Sequence, residues 1–198
     1  MTYLLGFFII SIFLFILSIY LQKGQTQKQI DIKNNLLKLV NDVKGNNKRF
    51  INPENTKAIV LDESNKKVYL FSPTNNIKLD YNFDDIIQSE VIVDGNTITS
   101  TNRGSQLMGM VVGGILAGGV GAIVGGLFGG KTSKDEIKNI ELKLTINNMN
   151  NSIFKVNFLP FTKVGWSKDS TKVKNSLSEI ETWQGYFDII LKQQNNVI

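Results

Sequence analysis

The 198-residue chain has no histidine, no cysteine and only three prolines. Without cysteine there is no disulfide framework, no thiolate metal site and no thiol nucleophile. Without histidine there is no imidazole ligand, no Ser-His pair and no imidazole acid–base chemistry near neutral pH. Charge is also missing from two long stretches, residues 1–21 and residues 104–130. Those two gaps organise the chain more than its average composition does.

The first gap reads MTYLLGFFIISIFLFILSIYL, and Tyr3 to Leu21 supplies 19 residues without a charge. About 20 such residues cross roughly 30 Å of hydrocarbon as a helix. A cleaved signal peptide has basic residues before a shorter apolar core and small residues at the cut. Here no basic residue precedes the run, its exit is Ser18-Ile19-Tyr20-Leu21-Gln22, and a lipoprotein would need a cysteine. Residues 1–21 are therefore expected to form an uncleaved, single-pass transmembrane anchor.

The net charge of +5 suggests an anionic partner until it is located. Between Gln22 and Phe50 there are seven basic residues (Lys23, Lys28, Lys33, Lys38, Lys44, Lys48, Arg49) against Asp31 and Asp42, which is the whole +5. From Ile51 to Ile198 there are 15 basic and 15 acidic residues. Cytoplasmic flanks collect Lys and Arg, so the N-terminus is expected outside the plasma membrane and the body in the cytoplasm. Lys23, Lys28 and Lys33 are the expected contacts to anionic lipid, each contributing on the order of 1 kcal/mol near the surface. The segment has no aromatic interleaving and no nucleic-acid module, which argues against nucleic acid as a partner. Ile32, Leu36, Leu39, Val40 and Val43 recur at helical spacing up to Gly45, so residues 22–50 read as a basic juxtamembrane amphipathic helix and linker. Packing of that helix on its own domain is the simplest use of so short a stripe.

After a polar loop from Gly45 to Thr56, strand signals come at short intervals: Lys57–Asp62, Lys67–Ser72, Ile77–Asn82, Ile87–Val93 and Thr97–Thr101. Asp94-Gly95-Asn96 is a tight-hairpin signal. Ile140, Leu142, Leu144 and Ile146 alternate with polar residues, as do Phe154, Val156 and Phe158, the mark of half-buried strands. Ser170–Gln194 carries apolar residues at helical spacing. Seven strands and one helix result, divided into 57–102 and 137–194 by the second gap.

This order of elements resembles the pleckstrin-homology (PH) fold. It is also similar to a group of uncharacterised bacterial membrane-anchored proteins that join a PH-like domain to a glycine-rich, glycine-zipper-like insert. The resemblance spans residues 57–194 apart from the insert. It rests on the element order, on LDYNFDDIIQSEVIVDG (Leu79 to Gly95) and on Trp183 in the last helix. It implies an α+β fold: a PH-like seven-stranded antiparallel barrel closed by a C-terminal helix, plus the N-terminal transmembrane helix and an inserted apolar helical hairpin. Phosphoinositide-binding PH domains present several basic residues around the first hairpin. Here only Lys66 and Lys67 are present, with Asp84-Asp85 near the third connection, so that ligand does not carry over.

The second gap reads GSQLMGMVVGGILAGGVGAIVGGLFGG. Gly109/Gly113, Gly114/Gly118, Gly121/Gly125, Gly125/Gly129 and Gly126/Gly130 repeat at four-residue spacing, which lets helix backbones approach closely in lipid. In water each such glycine costs a helix up to about 1 kcal/mol against alanine. Gly109, Gly113, Gly114, Gly118, Gly121, Gly125, Gly126 and Gly129 are thus the expected membrane or oligomer contacts, in a hairpin folding back near Ala117–Gly121. The alternative is a flexible apolar loop buried against the body or a partner. Gly125, Gly130, Lys131 and Thr132 fit the letters of a phosphate-binding loop, but no buried strand precedes them and no long helix follows.

Asp84-Asp85 and Asp135-Glu136 read as solvated turn or strand-end residues, and no catalytic, metal or cofactor set emerges, so the chain is not expected to be an enzyme. The expected function is a membrane-tethered binding module that recognises a protein or lipid at the inner leaflet. The competing expectation is an oligomeric, membrane-active or channel-forming protein acting through the glycine-rich hairpin. Twenty Lys against two Arg, with 22 Asn, points to an AT-rich bacterial or phage genome.

Overall fold

Alternation of side chains and the chemistry of the turns decide where the sheets form. A computed structural model of the chain describes residues 2–45, 47–75, 77–103 and 136–195, with side chains from Ser11 onward and up to Gln193. The glycines at 109–129 lie outside the described residues, and so does the hairpin expected there.

The chain opens with one continuous helix, α1 (Thr2–Asp42), of 41 residues. The expected anchor and juxtamembrane helix are therefore a single rod, ended by Gly45 at φ +103°. Among the described residues no helix is long and apolar enough to cross a membrane. The apolar run ends at Leu21, where Gln22, Lys23 and Gln25 follow.

Four strands then form an antiparallel meander, β1 (Lys48–Ile51), β2 (Ala58–Asp62), β3 (Lys67–Ser72) and β4 (Ile77–Asn82), in the order β1-β2-β3-β4. β1 falls inside the stretch expected to be a polar loop. Only Phe50 and Ile51 mark it in sequence, and pairing with β2 makes it a strand. β2 is buried along its full length because both faces are covered. Ile59 and Leu61 face the main core, whereas Ala58 and Val60 join Phe71 under Leu36 and Val40 of α1. The amphipathic stripe of α1 is thus spent on its own domain.

A 3₁₀ turn (Phe83–Asp85) carries the chain to the second sheet, made of β5 (Ile86–Val93), β6 (Asn96–Asn102), β8 (Ile140–Ile146) and β9 (Ile153–Asn157) in the order β6-β5-β8-β9. A two-stranded ribbon pairs β7 (Glu136–Ile137) with β10 (Trp166–Ser167). The helix α2 (Thr171–Asn195) closes the chain.

The expected closed barrel is not closed. Among the described residues no ladder joins the two sheets. The 3₁₀ turn, held by Asn82 and Asp85, bends the chain out of β4 before β5 begins, and α2 fills the open side. Its Val173, Leu177, Ile180, Trp183, Phe187 and Leu191 complete one core with both sheets. Phe50 stacks on Phe158 with ring centroids 3.8 Å apart, which ties the first sheet to the end of the second. Trp183 lies 6.0 Å from Phe50 and is a core aromatic.

Candidate binding cleft and the roots of the glycine-rich segment

β5 and β8 are direct partners, with Val93 opposite Ile140, and the N–H of Asp94 donates to the carbonyl of Asn139 at 3.0 Å. Without residues 95–138 they would form an ordinary hairpin. The excursion made of β6 and the glycine-rich segment is therefore grafted onto a hairpin tip, the kind of site at which folds tolerate insertions. β6 turns back against the free edge of β5 through Asp94 (φ +46°) and Gly95 (φ +84°).

Both roots of the segment are fixed to the domain. At its start, the N–H of Arg103 donates to the carbonyl of Ile87 at 2.8 Å, and the Arg103 guanidinium donates to the carbonyl of Asp84. At its end, the Asp94 carboxylate accepts from the N–H groups of Lys138 and Asn139, both at 2.9 Å. Ile87 and Asp94 stand at opposite ends of β5, so the two roots are separated by about 23 Å at 3.3 Å per residue.

Just before the first root, a polar cluster links β6 and β5 to α2. The Ser89 hydroxyl donates to Gln184 Oε1 at 2.8 Å, and Thr101 Oγ1 donates to Asp188 Oδ1 at 2.7 Å. Gln184 Nε2 donates to Asp188 Oδ1 at 2.9 Å and to Thr101 Oγ1 at 3.3 Å. Each of these polar atoms has a partner, as buried polar groups require.

The far end of α2 forms one wall of a cleft of about 180 Å³ with β1, β2 and the 3₁₀ turn, lined by Lys48, Leu61, Glu63, Phe83, Tyr186, Ile189, Ile190 and Gln193. Its floor is apolar. Lys48 and Glu63 stand on the rim, with Lys48 Nζ 6.0 Å from the Tyr186 ring. Ile189 remains exposed there. The arrangement has room for one large apolar side chain flanked by charge. Its lining has no serine, threonine or cysteine and no pair of carboxylates.

The position of the cleft relative to α1 matters. Leu36 sits over Ala58 and Phe71, whereas Asp42 and Lys44 line a hollow with Asp62 and Asn65. α1 therefore runs alongside β2 in the same direction, and its N-terminal part leaves the domain at the end bearing the β1–β2 and β3–β4 turns. The cleft, beside Leu61 and Glu63, is at the opposite end.

Of the expected lipid contacts, Lys23, Lys28 and Lys33 are all exposed along α1. Lys67, beside the first hairpin, is engaged by Asp80 at 2.7 Å. That hydrogen bond and the Asp80 charge raise the Lys67 pKa. Asp84 and Asp85 are turn residues, Asp85 Oδ2 accepting from the N–H of Asn82 at 2.9 Å. The cleft residues went unnoticed in sequence because they come from four separate elements. Asp94 was visible only as a turn former.

The sequence profile described as "Glycine zipper containing PH domain" matches residues 47–160, from β1 to just beyond β9. The chain belongs to this family. Two relatives match over nearly its whole length. The SPbeta prophage-derived uncharacterized membrane protein YomJ of Bacillus subtilis (strain 168) is 32% identical over 98% of this chain and 88% of its own. A protein named "Immunity protein" from Bacillus phage SPbeta is 32% identical over 98% of this chain and 99% of its own. No solved structure matches the chain significantly. In this glycine zipper-containing PH domain, α1 and α2 lie outside the matched stretch, yet both pack on it.

Proposed function

We propose that this chain is a membrane-held, non-enzymatic binding protein of phage-type immunity, with its PH-like domain as the recognition part. One observation carries the reading. α1 is docked at one end through Leu36 and Val40, while the large apolar side chains from Ile12 to Leu21 are exposed on every side of the other end. A helix apolar all round needs apolar surroundings. The charge-free run starting at Tyr3 makes it long enough to be the anchor, and the lysines after Leu21 put the body in the cytoplasm. The names of the two relatives, one a membrane protein and one an immunity protein, agree with that reading.

Because α1 is continuous and docked, the anchor is rigidly joined to the domain, and the cleft faces away from the membrane. A lipid headgroup does not reach it. Its ligand is a protein segment presenting one large apolar side chain beside a charged one. Binding such a segment at the inner leaflet would divert a phage or toxin component.

The test is expression of the full chain in a Bacillus subtilis strain lacking the prophage, followed by challenge with an SPbeta-type phage. Reduced plaque formation is expected, with the chain in the membrane fraction. Ile189→Glu should restore plaques while the protein stays in that fraction. Full protection by the Ile189→Glu variant would remove the cleft from the mechanism.

The four-residue glycine repeat favours a second reading, in which copies associate through 104–130 and perturb the bilayer. Replacing Gly113, Gly118 and Gly125 by Leu would then abolish an ion leak and leave the Ile189→Glu phenotype unaffected.

A further inference from the structure

The end of the domain from which α1 departs carries a loop that exposes apolar side chains although its base is pinned. The loop joins β9 to β10. Phe161 is 73% exposed and Val164 is 64% exposed, with exposed Lys163 between them. Such exposure is not a consequence of slack. The N–H of Phe161 donates to Glu54 Oε1 at 2.8 Å, and Glu54 Oε2 accepts from Asn52, so the loop is fastened to the β1–β2 turn. On the other side, Trp166 Nε1 donates to the carbonyl of Pro160 at 2.7 Å. Gly165 takes φ +116° against Glu136, where an added Cβ would lie 3.1 Å from that side chain's Cβ.

We propose that the Phe161–Val164 loop is a second membrane contact, inserting into the interfacial layer of an anionic bilayer beside the α1 anchor. The proposal rests on the anchor reading above. The carboxylates Glu54, Asp94, Glu136 and Glu141 balance Lys57, Lys138, Lys155 and Lys163 around this end, but the one charge within the loop itself is Lys163, beside the two exposed apolar side chains, which favours an anionic surface. Continuity supports it as well, because the exposed apolar part of α1 leaves from the same end.

The geometry sets a condition. Ile32 is the first α1 residue past the exposed stalk that is partly covered, 11 residues beyond Leu21, so an upright helix holds the domain about 16 Å below the hydrocarbon. The loop springs from β9 and is fastened at Phe161 to the β1–β2 turn of the sheet on which α1 packs, so it stands one to two layers, roughly 10–20 Å, to the side at about 10 Å per layer. The headgroup layer is about 6 Å thick. A tilt of about 25–40° brings the loop into that layer, within the range for membrane helices.

The absence of cysteine makes a direct test simple. Full-length Val164→Cys and Met149→Cys are labelled with an environment-sensitive nitrobenzoxadiazole dye and reconstituted into phosphatidylglycerol-containing vesicles or into phosphatidylcholine alone. Met149 is fully exposed in the β8–β9 turn, away from α1's departure. The label at 164 should show a blue shift, a several-fold rise in emission and protection from aqueous iodide, more so with phosphatidylglycerol. The label at 149 should remain aqueous. Phe161→Ser together with Lys163→Ser should return the 164 signal to the aqueous value while the protein still floats with vesicles. Equal aqueous spectra at 164 and 149 in floating protein would overturn the loop contact. Failure to float at all would instead overturn the anchor.

Discussion

Asp94 shows how much one side chain carries where an insertion leaves a fold. It sits at φ +46°, a conformation in which only glycine, asparagine and aspartate are at ease, and its carboxylate receives two N–H groups from the returning chain. Asp94→Ala loses both bonds and strains the backbone, and is expected to cost roughly 1–3 kcal/mol. Both N–H groups donate to Oδ1, so Asp94→Asn keeps that acceptor and the backbone preference and should cost much less than Asp94→Ala. Urea midpoints of the two variants decide this, and equal losses would mean that the two hydrogen bonds to Oδ1 contribute nothing. Lys57 makes a different demand. It is half-buried over the Phe154 ring and donates to the carbonyl of Lys155 at 2.7 Å. Burial pushes its pKa below the usual lysine value, the Lys155 charge adds to that, and Glu141 opposes it. The unfolded chain thus binds the proton more tightly, so stability rises as pH climbs from the lowered value towards 10.5. That rise should be missing in Lys57→Met when the two midpoints are compared between pH 8 and pH 10.

At the scale of elements, the roots of the glycine-rich segment make a geometric prediction independent of what the segment does. They lie about 23 Å apart at opposite ends of β5. Four residues reach at most about 17 Å across five peptide links, whereas a Gly/Ser linker of 16 residues has a root-mean-square span near 22 Å. Replacing residues 104–135 by 16 Gly/Ser residues should leave the domain folded, with a cooperative thermal transition close to wild type. Replacing them by four should tear β6 from β5 or β7 from β10 and lower the transition sharply. If the short linker is tolerated equally, the order β6-β5-β8-β9 is wrong. Strands with strict alternation, such as Ile140–Ile146, were legible in the sequence within a residue of their ends, because a half-buried strand writes its period into the chain. β1 was not, since Lys48-Arg49 are exposed and only partners across the ladder make the segment extended. β7 and β10, two residues each, had no periodicity to show. The order of the second sheet was equally hidden. Asp94-Gly95 announces a hairpin, but nothing local says that β8 also returns to β5. The cleft depends on side chains more than 120 residues apart and was not readable at all.

At the scale of the whole molecule, the proposed anchoring through α1 would make position relative to the membrane a property of the fold. The stalk from Gln22 to Asp31 is helical and exposed throughout, so nothing but helix joins the apolar run to the docked turns. Lys23 lies about 3 Å beyond Leu21 along an upright helix, Lys28 about 10 Å and Lys33 about 18 Å. In the proposed arrangement, with a Debye length near 8 Å at physiological ionic strength, Lys23 and Lys28 would feel an anionic surface and Lys33 hardly would. All three would still act on orientation in that arrangement, because the bias of Lys and Arg is counted over some 15–20 residues beside an anchor. In the Met149→Cys variant, the new thiol should therefore be inaccessible to a membrane-impermeant maleimide in intact protoplasts and react once they are permeabilised. Changing Lys23, Lys28 and Lys33 together to Gln leaves four basic against two acidic residues before Ile51, and a fraction of the chains should then present that thiol outside. Labelling of Met149→Cys in intact protoplasts without those changes would reverse the orientation, placing the cleft outside the cell and removing any cytoplasmic ligand from consideration.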